Sequence, residues 1–205
     1  MKVNIIIDYL EELYPKAQCE LVYHHDYELL IATVLSAQCT DKRVNIVTKN
    51  LWNNYDLNSL SKAKIDDIEK IIHSLGNSNK KAFYIIQIAK RLVNECNGVV
   101  PNDREYLESL PGVGRKTCNV VLSNIYNIPA IAVDTHVERV SKRLKLAYAN
   151  DDVYTIEKKL MRVFPKEKWS KLHHQIVLFG RYKCKAIKPI CIDCKLKTYC
   201  RLNRN

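Results

Sequence analysis

A lysine and an aspartate stand eighteen residues apart, each at the expected start of a helix. Lys116 follows the turn in "LPGVGRKT" (residues 110–117), and Asp134 lies within "VDTHV" (residues 133–137). A lysine that is partly desolvated, near other cations and at a helix N-terminus loses its proton more readily, and the free amine can attack a sugar C1′ to form a Schiff base. A nearby carboxylate would assist as a general base or by stabilising positive charge on the sugar. Both residues also have ordinary interpretations, because most lysines are solvated and Asp is a common helix N-cap.

The turn before Lys116 has the pattern of a connection between two helices. Asn102 with Glu105 predicts a capping box for a short first helix, Gly112 ends that helix, and a second helix begins near Arg115. The glycine spacing fits neither a dinucleotide-binding fingerprint nor a P-loop. The segment is therefore predicted to be a helix–turn–helix hairpin.

Two glycines of this hairpin, Gly112 and Gly114, flank the apolar Val113, which can anchor the turn in the core. Glycine permits positive φ angles and close backbone approach. The amides of the turn and of the next helix N-terminus could bind a DNA phosphate without reading any base. A tight connection without a ligand explains the glycines equally well.

The second helix of the hairpin has polar residues along one stripe. At helical spacing Lys116, Asn119 and Ser123 share a face, while apolar residues cover the rest. We therefore expect a mostly buried helix with one narrow polar face.

Four cysteines near residue 190 follow the pattern C-x6-C-x2-C-x5-C. All-cysteine zinc sites usually contain two C-x2-C pairs, and this pattern has one. Four cysteines on one compact loop suit a 4Fe–4S cluster. The spacing favours iron–sulfur over zinc, and either over disulfides, with the ligands Cys184, Cys191, Cys194 and Cys200. Buried thiols in helices are predicted for the remaining four, Cys19, Cys39, Cys96 and Cys118.

The balance of charge is basic. The 205 residues include 33 Lys and Arg against 22 Asp and Glu, a formal charge of +11. Such a balance favours anionic partners, nucleic acid first and membrane surfaces second. The longest apolar run, residues 29–37, is far shorter than the ~20 residues of a membrane span, and the acidic start is no secretory signal. We therefore expect a cytoplasmic protein without membrane association.

Apolar residues recur mostly at helical spacing, which predicts an all-α chain with short loops. The composition changes near residue 184, where cysteines and lysines replace the helical pattern. The predicted helices cover roughly residues 4–14, 27–38, 42–54, 64–75, 79–96, 103–109, 115–126, 134–147, 152–163 and 170–183.

Taken together, "LPGVGRKT", "VDTHV" and the cysteine spacing resemble the endonuclease III family of the helix-hairpin-helix DNA glycosylases, over about residues 5–202. The resemblance implies an all-α, two-domain fold with the active site in the cleft between the domains. One domain would be a six-helix bundle with the hairpin, residues 22–132. The other, residues 1–21 plus 133–205, would carry a 4Fe–4S cluster on the four cysteines of loop 184–200.

For the chemistry, the resemblance implies that Lys116 attacks C1′ of a damaged nucleotide while Asp134 assists. The base leaves, and β-elimination then breaks the strand 3′ to the lesion. The implied protein is a bifunctional DNA glycosylase and abasic-site (AP) lyase that removes oxidised pyrimidines during base excision repair. We expect a monomer that binds double-stranded DNA containing damaged bases or abasic sites, in a prokaryotic cytosol or nucleoid.

Further DNA contacts are implied at two loops and at the cluster. "SAQCTD" (residues 36–41) resembles the family segment whose glutamine, here Gln38, fills the gap left by the flipped base. "GNSNKKA" (residues 76–82) has Asn77 where the family usually has a large apolar wedge, so Asn77 would hydrogen-bond to the orphaned base, or Leu75 would replace the wedge. Lysines around the cluster compensate its charge or contact phosphates, and the expected DNA contacts are Lys185 and Lys188.

Two other functions remain open. A monofunctional glycosylase of the same fold would lack a lysine at position 116, which argues against it. A non-catalytic helix-hairpin-helix DNA-binding module with a structural metal would need no lysine–aspartate pair, so nicking of abasic DNA would discriminate.

Overall fold

The computed structural model describes residues 2–202, and every regular element within that range is helical. Short 3₁₀ turns and one π-helical turn, Phe179–Lys183, extend or link the α-helices. The α-helices are α1 (Lys2–Leu13), α2 (Asp26–Leu35), α3 (Asp41–Asn54), α4 (Leu57–Ser61), α5 (Ile65–Ile72), α6 (Ser78–Cys96), α7 (Arg104–Ser109), α8 (Arg115–Ile125), α9 (Thr135–Arg143), α10 (Val153–Val163) and α11 (Trp169–Leu178). None of these described helices is long and apolar enough to cross a membrane.

Each of the ten predicted segments coincides with a helix, and the all-α prediction is confirmed. One helix, α4, was not predicted. It has five residues and is capped by Asp56, whose carboxylate accepts a hydrogen bond from the Ser59 amide at 2.7 Å.

The predicted cap of α7 is wrong by one residue. The helix begins at Arg104, and the cap is Asp103, which accepts from the Tyr106 amide at 3.1 Å. Asn102 and Glu105 form no capping box, because the helix begins one residue later than predicted and its N-cap is Asp103.

The chain divides into two compact units. The middle unit is Glu20–Tyr126, and the end unit combines the described parts of residues 1–19 and 127–205. The middle unit contains seven described helices, α2–α8, where six were expected, since α4 adds one. Residues 127–132, expected in the middle domain, belong to the end unit because Ile131 is fully buried in that unit's core.

The core of the middle unit is built around α2. Eight of its ten residues are buried, so the long apolar run of the sequence is a central helix that packs against α3, α6 and α8. Glu28 is buried among them because its carboxylate accepts from the His24 amide at 2.7 Å, just before the helix. This buried helix holds the hairpin helix α8 in place.

The core of the end unit gathers α1, α9, α10 and α11 around the buried Phe179. The π-helical turn that follows α11 lies close against α9. A Cβ on Gly180 would stand 2.9 Å from the His136 Cβ, so only glycine permits this approach. The close packing fixes where the chain enters the cysteine loop at Cys184.

Candidate active site

The hairpin turn between α7 and α8 is anchored in the middle unit as expected. Val113 is buried, with 5% of its surface exposed, and its amide donates to the Leu110 carbonyl at 3.1 Å. Gly112 has φ +79°, and a Cβ there would lie 2.5 Å from Tyr84 Cδ2. Glycine at position 112 is thus required by both the backbone conformation and the space.

Gly114 is different, because neither requirement applies to it. Its φ of −104° and ψ of −178° are open to any residue, and a Cβ would meet nothing within 4 Å. It caps α8 without a side-chain bond, and the first intrahelical bond runs from the Cys118 amide to its carbonyl at 2.9 Å. Amides ahead of that bond have no partner within the helix. The turn therefore offers backbone donors with room for a ligand oxygen.

The two glycines allow a matched test of phosphate binding. We expect Gly114→Ala to weaken DNA binding about tenfold, because the added methyl group would occupy the open space beside the amides and displace a phosphate oxygen from one charge-assisted hydrogen bond. Its free energy of unfolding should change by less than about 1 kcal/mol, since only the cap is altered. Binding to abasic and to undamaged duplex, followed by fluorescence anisotropy at fixed salt, should fall equally because the hairpin reads no base.

The control is Gly112→Ala, which should lower the free energy of unfolding by about 1–3 kcal/mol through backbone strain. If folded Gly114→Ala binds both duplexes as tightly as wild type, the hairpin is only a connector.

Lys116 lies at the exposed end of an otherwise covered helix. The exposed residues of α8 are Arg115 and Lys116, in its first turn. The predicted polar face does not exist further along, because Asn119 and Ser123 are both buried. Asn119 is satisfied there by Arg104, whose Nη2 donates to Oδ1 at 2.7 Å. The fold thus presents the lysine amine to solvent beside the amides of the hairpin.

Asp134 is the N-cap of α9. Its Oδ1 accepts hydrogen bonds from the amides of His136 at 2.9 Å and Val137 at 2.8 Å. The cap interpretation of the sequence is confirmed. The carboxylate is half-buried, and these bonds employ one of its two oxygens.

Gln38 and Asn77 occupy two exposed loops of the middle unit. Both have left-handed backbones, with φ of 58° and 51°, which non-glycine residues rarely adopt. Asn77 follows Gly76, itself at φ +57°, and begins α6 as its N-cap. Asparagine tolerates this conformation better than a large apolar residue, which accounts for its presence at this position.

The alternative wedge, Leu75, lies away from the surface. Its side chain is fully buried in the core of the middle unit, so it cannot enter a base stack without leaving that core. Its carbonyl accepts a hydrogen bond from the buried side chain of Lys81 at 2.6 Å. Sequence reasoning missed Lys81, since a lysine in a polar stretch gives no sign of burial.

The four cysteines expected to bind a cluster share one cavity. Its volume is about 50 Å³, several times the roughly 10–15 Å³ that a single water-sized occupant needs. The rest of the lining is apolar apart from Lys197, and includes Leu144, Phe179, Pro189 and Ile190. A largely apolar pocket with four thiol groups fits a cluster of several atoms.

Among residues 2–202, no group of three or more His, Cys, Asp or Glu side chains is arranged to hold a metal ion. The fit to a cluster therefore depends on the cavity and on the four thiols that line it.

Arginine side chains brace the entrance of the cysteine loop. Arg139 Nη2 donates to the Gly180 carbonyl at 2.8 Å, and Arg143 Nη1 donates to the Lys185 carbonyl at 2.7 Å and the Cys184 Sγ at 3.4 Å. Burial raises the pKa of the Cys184 thiol, and the Arg143 hydrogen bond opposes that rise. These arginine contacts could not be predicted from local patterns, because they depend on α9 and the loop being adjacent.

The lysines of the cysteine loop divide into two groups. Lys183 pairs with Asp193 at 2.8 Å and Lys195 with Glu12 at 2.5 Å. Both lysines therefore form ion pairs within the end unit. Lys185 and Lys188 are exposed and make no ion pair with a described carboxylate, which leaves them available to a polyanion.

The prediction of buried thiols in helices is confirmed for Cys118, which is buried in α8. Cys96 is only half-buried, at the end of α6. Cys19 and Cys39 lie outside the helices and are half-buried.

Comparison with known proteins agrees with this fold. Residues 31–166 match the family model described as HhH-GPD superfamily base excision DNA repair protein. Endonuclease III of Bacillus subtilis is 46% identical over 98% of this chain and 92% of its own length, and that of Escherichia coli is 41% identical over 95% and 92%.

Solved structures give the same result. An endonuclease III in a non-covalent DNA complex superposes with a TM-score of 0.95 at 47% identity, covering 99% of this chain and 96% of that one. An endonuclease III trapped as a covalent DNA intermediate gives 0.94 at 48% identity, covering 99% and 97%. The chain belongs to the endonuclease III family of helix-hairpin-helix base excision repair proteins.

Proposed function

We propose that Lys116 is the nucleophile with which this DNA glycosylase and AP lyase of base excision repair attacks oxidised pyrimidine nucleotides in duplex DNA. The observation that carries the proposal is the exposure of Lys116 in the first turn of a buried helix, directly after a glycine hairpin that offers amides to a phosphate. A phosphate held by the hairpin brings the neighbouring sugar within reach of the amine. Position rather than charge then makes the lysine reactive.

The reaction follows from amine chemistry. The neutral amine of Lys116 attacks C1′, the damaged base departs with the electrons of the glycosidic bond, and the ring-opened sugar remains attached as an imine. Loss of a C2′ proton followed by departure of the 3′ phosphate breaks the strand. Hydrolysis of the imine then frees the lysine.

Asp134 supplies negative charge when the sugar becomes positive. One carboxylate oxygen is held by the two amides of α9, so the group cannot swing away and its second oxygen keeps a fixed direction. Such a preorganised charge stabilises the transition state more than the ground state.

The remaining contacts hold the DNA open. Extruding a base costs a few kcal/mol, which the protein must offset with contacts to the opened duplex. Gln38 fills the gap, Asn77 hydrogen-bonds to the orphaned base, and Lys185 and Lys188 contact phosphates. These last contacts carry no sequence information and lose strength with added salt.

A 4Fe–4S cluster held by Cys184, Cys191, Cys194 and Cys200 completes the end unit. When bound, the cluster cross-links the loop and can exchange an electron. We expect the purified protein to be brown, to absorb near ~400 nm and to contain about four irons. Metal analysis and absorption spectra of aerobic and anaerobic preparations check this, and one zinc without iron in both would overturn the cluster.

We place this activity in the cytosol or nucleoid of a prokaryotic cell, with the protein acting as a monomer on duplex DNA. The basic balance of the chain supports a polyanionic partner.

The experiment that tests the proposal is borohydride trapping on an abasic or thymine-glycol duplex. A lysine imine is reduced to a stable protein–DNA adduct, and β-elimination leaves a nick. A monofunctional glycosylase would release the base but form no adduct and no nick. A binding module would not release the base and would form no adduct or nick. Lys116→Gln then decides which amine reacts.

A further inference from the structure

The side chain of Lys81 is buried beneath two loops of the middle unit. It has 6% of its surface exposed and extends from the first turns of α6. Its Nζ donates to the Ala37 carbonyl at 2.8 Å and the Leu75 carbonyl at 2.6 Å, and lies 3.5 Å from the Cys39 Sγ. Those acceptors belong to the loops that present Gln38 and Asn77.

This arrangement uses every donor that a lysine has. An ammonium group carries three N–H bonds, and burying one without partners is costly. Here three acceptors surround it, and none of them is a carboxylate. Two are main-chain carbonyls, so the ammonium holds the backbone of each loop rather than a mobile side chain. The Cys39 Sγ adds a direct tie, donating to the Leu75 carbonyl at 2.9 Å.

The residues next to these acceptors have backbone conformations that must be held in place by their surroundings. Gln38 directly follows Ala37, and Asn77 stands two residues after Leu75. Both are exposed at positive φ, a conformation that persists in non-glycine residues where the surroundings impose it. The Lys81 hydrogen bonds provide that constraint at the base of both loops.

We propose that Lys81 is a positioning residue that locks the Gln38 and Asn77 loops to each other, so that the two side chains meet an opened duplex as one preorganised unit. The inference rests on the proposed DNA contacts of those two loops. Lys81 itself is too buried to touch DNA. It acts by removing the loop motion that would otherwise have to be arrested on binding.

The test measures discrimination rather than turnover. The probe is a duplex with an uncleavable tetrahydrofuran abasic analogue, compared with the undamaged duplex, both by anisotropy at fixed salt. Lys81→Met keeps the unbranched side chain, one heavy atom shorter, and removes all three donors. We expect its preference for the abasic duplex to fall about tenfold or more, because misplaced groups lose most of their effect. Affinity for undamaged duplex, which depends on phosphate contacts, should stay within about twofold.

The matched control is Lys90→Met. Lys90 is exposed on the same helix, nine residues and roughly 13 Å further along, so its loss removes the same charge without touching either loop. Its preference should equal that of wild type. A misfolded fraction would weaken binding to both duplexes alike and leave the ratio unchanged.

A double-mutant cycle separates positioning from a general structural role. If Lys81 acts through Gln38 and Asn77, adding Lys81→Met to the Gln38→Ala/Asn77→Ala double variant should cost little further preference. Fully multiplicative losses would overturn the inference. Should Lys81→Met not fold, Cys39→Ala carries the test, and we expect the preference to fall two- to threefold as the direct tie to Leu75 is lost.

The outcomes also separate this inference from the proposed function. Unchanged preference in Lys81→Met and Cys39→Ala, with losses in Gln38→Ala and Asn77→Ala, would overturn the inference alone. Unchanged preference in the two loop variants would overturn the proposed loop contacts and the inference with them. Neither result depends on Lys116, whose role is tested by trapping.

Discussion

Lys116→Gln is expected to abolish both the borohydride-trapped adduct and the β-elimination nick on an abasic duplex. The loss should be on the order of a thousandfold or more, because glutamine has no amine and cannot form the covalent intermediate. The measurement is single-turnover cleavage, with adduct formation followed on denaturing gels. Lys116→Arg should lose the adduct equally, since a guanidinium stays protonated, while it keeps the positive charge.

Binding should survive both substitutions. Removing one cation lowers the slope of log affinity against log salt by about one and weakens binding modestly. Lys90→Gln, an equal loss of charge at an exposed position of α6, should retain full cleavage. If Lys116→Gln crosslinks as well as wild type, another amine is the nucleophile and the central assignment fails.

Asp134→Asn is expected to slow base release about a hundredfold or more while changing DNA affinity little. The charge that it removes matters mainly at the transition state, when the sugar becomes positive. Asparagine caps helices as well as aspartate, and its Oδ1 can still accept from the His136 and Val137 amides. The measurement is the single-turnover rate of base release from a thymine-glycol duplex.

Two further variants separate catalysis from capping. Asp134→Ala removes both functions, so it should also lower the free energy of unfolding by about 0.5–2 kcal/mol. Asp152→Asn alters an equivalent cap, where the carboxylate accepts from the Thr155 amide at 2.7 Å, and should leave base release unchanged. Loss of folding in Asp134→Asn, or a normal rate of base release, would reduce Asp134 to a helix cap.

Much of the fold follows from apolar spacing alone, because each long helix buries one face or more. Helix α4 was not predicted, because five residues are too few to show the helical spacing of apolar residues. The boundary between the two compact units differs from the expected residue 132, since Ile131, which lies outside the helices, contributes to the end unit's core. Such a contact depends on tertiary packing, which local patterns do not encode.

Some residues of the candidate site could be predicted from the sequence, and others could not. Lys116, Asp134 and the cysteines stand out because their types and spacing imply chemistry. Lys81 and Asn119 do not, because each is polar and becomes buried only when a distant partner satisfies it. Satisfied buried polar groups are set by three-dimensional neighbours, so the sequence suggests a surface position for both.

The insertion of the middle unit between the two parts of the end unit sets an order for synthesis on the ribosome. All of the middle unit emerges before residue 127, so it can fold while the rest is still being made. Helix α1 must meanwhile wait with Ile6 and Leu10 uncovered, because its packing partners α9–α11 come later. From the end of α1 to the end of α11, 178 − 13 = 165 residues are added, so at about 5–20 residues per second that wait lasts roughly 8–33 s. The nascent chain therefore carries an exposed apolar helix during translation, and the cysteine loop is made after every described α-helix.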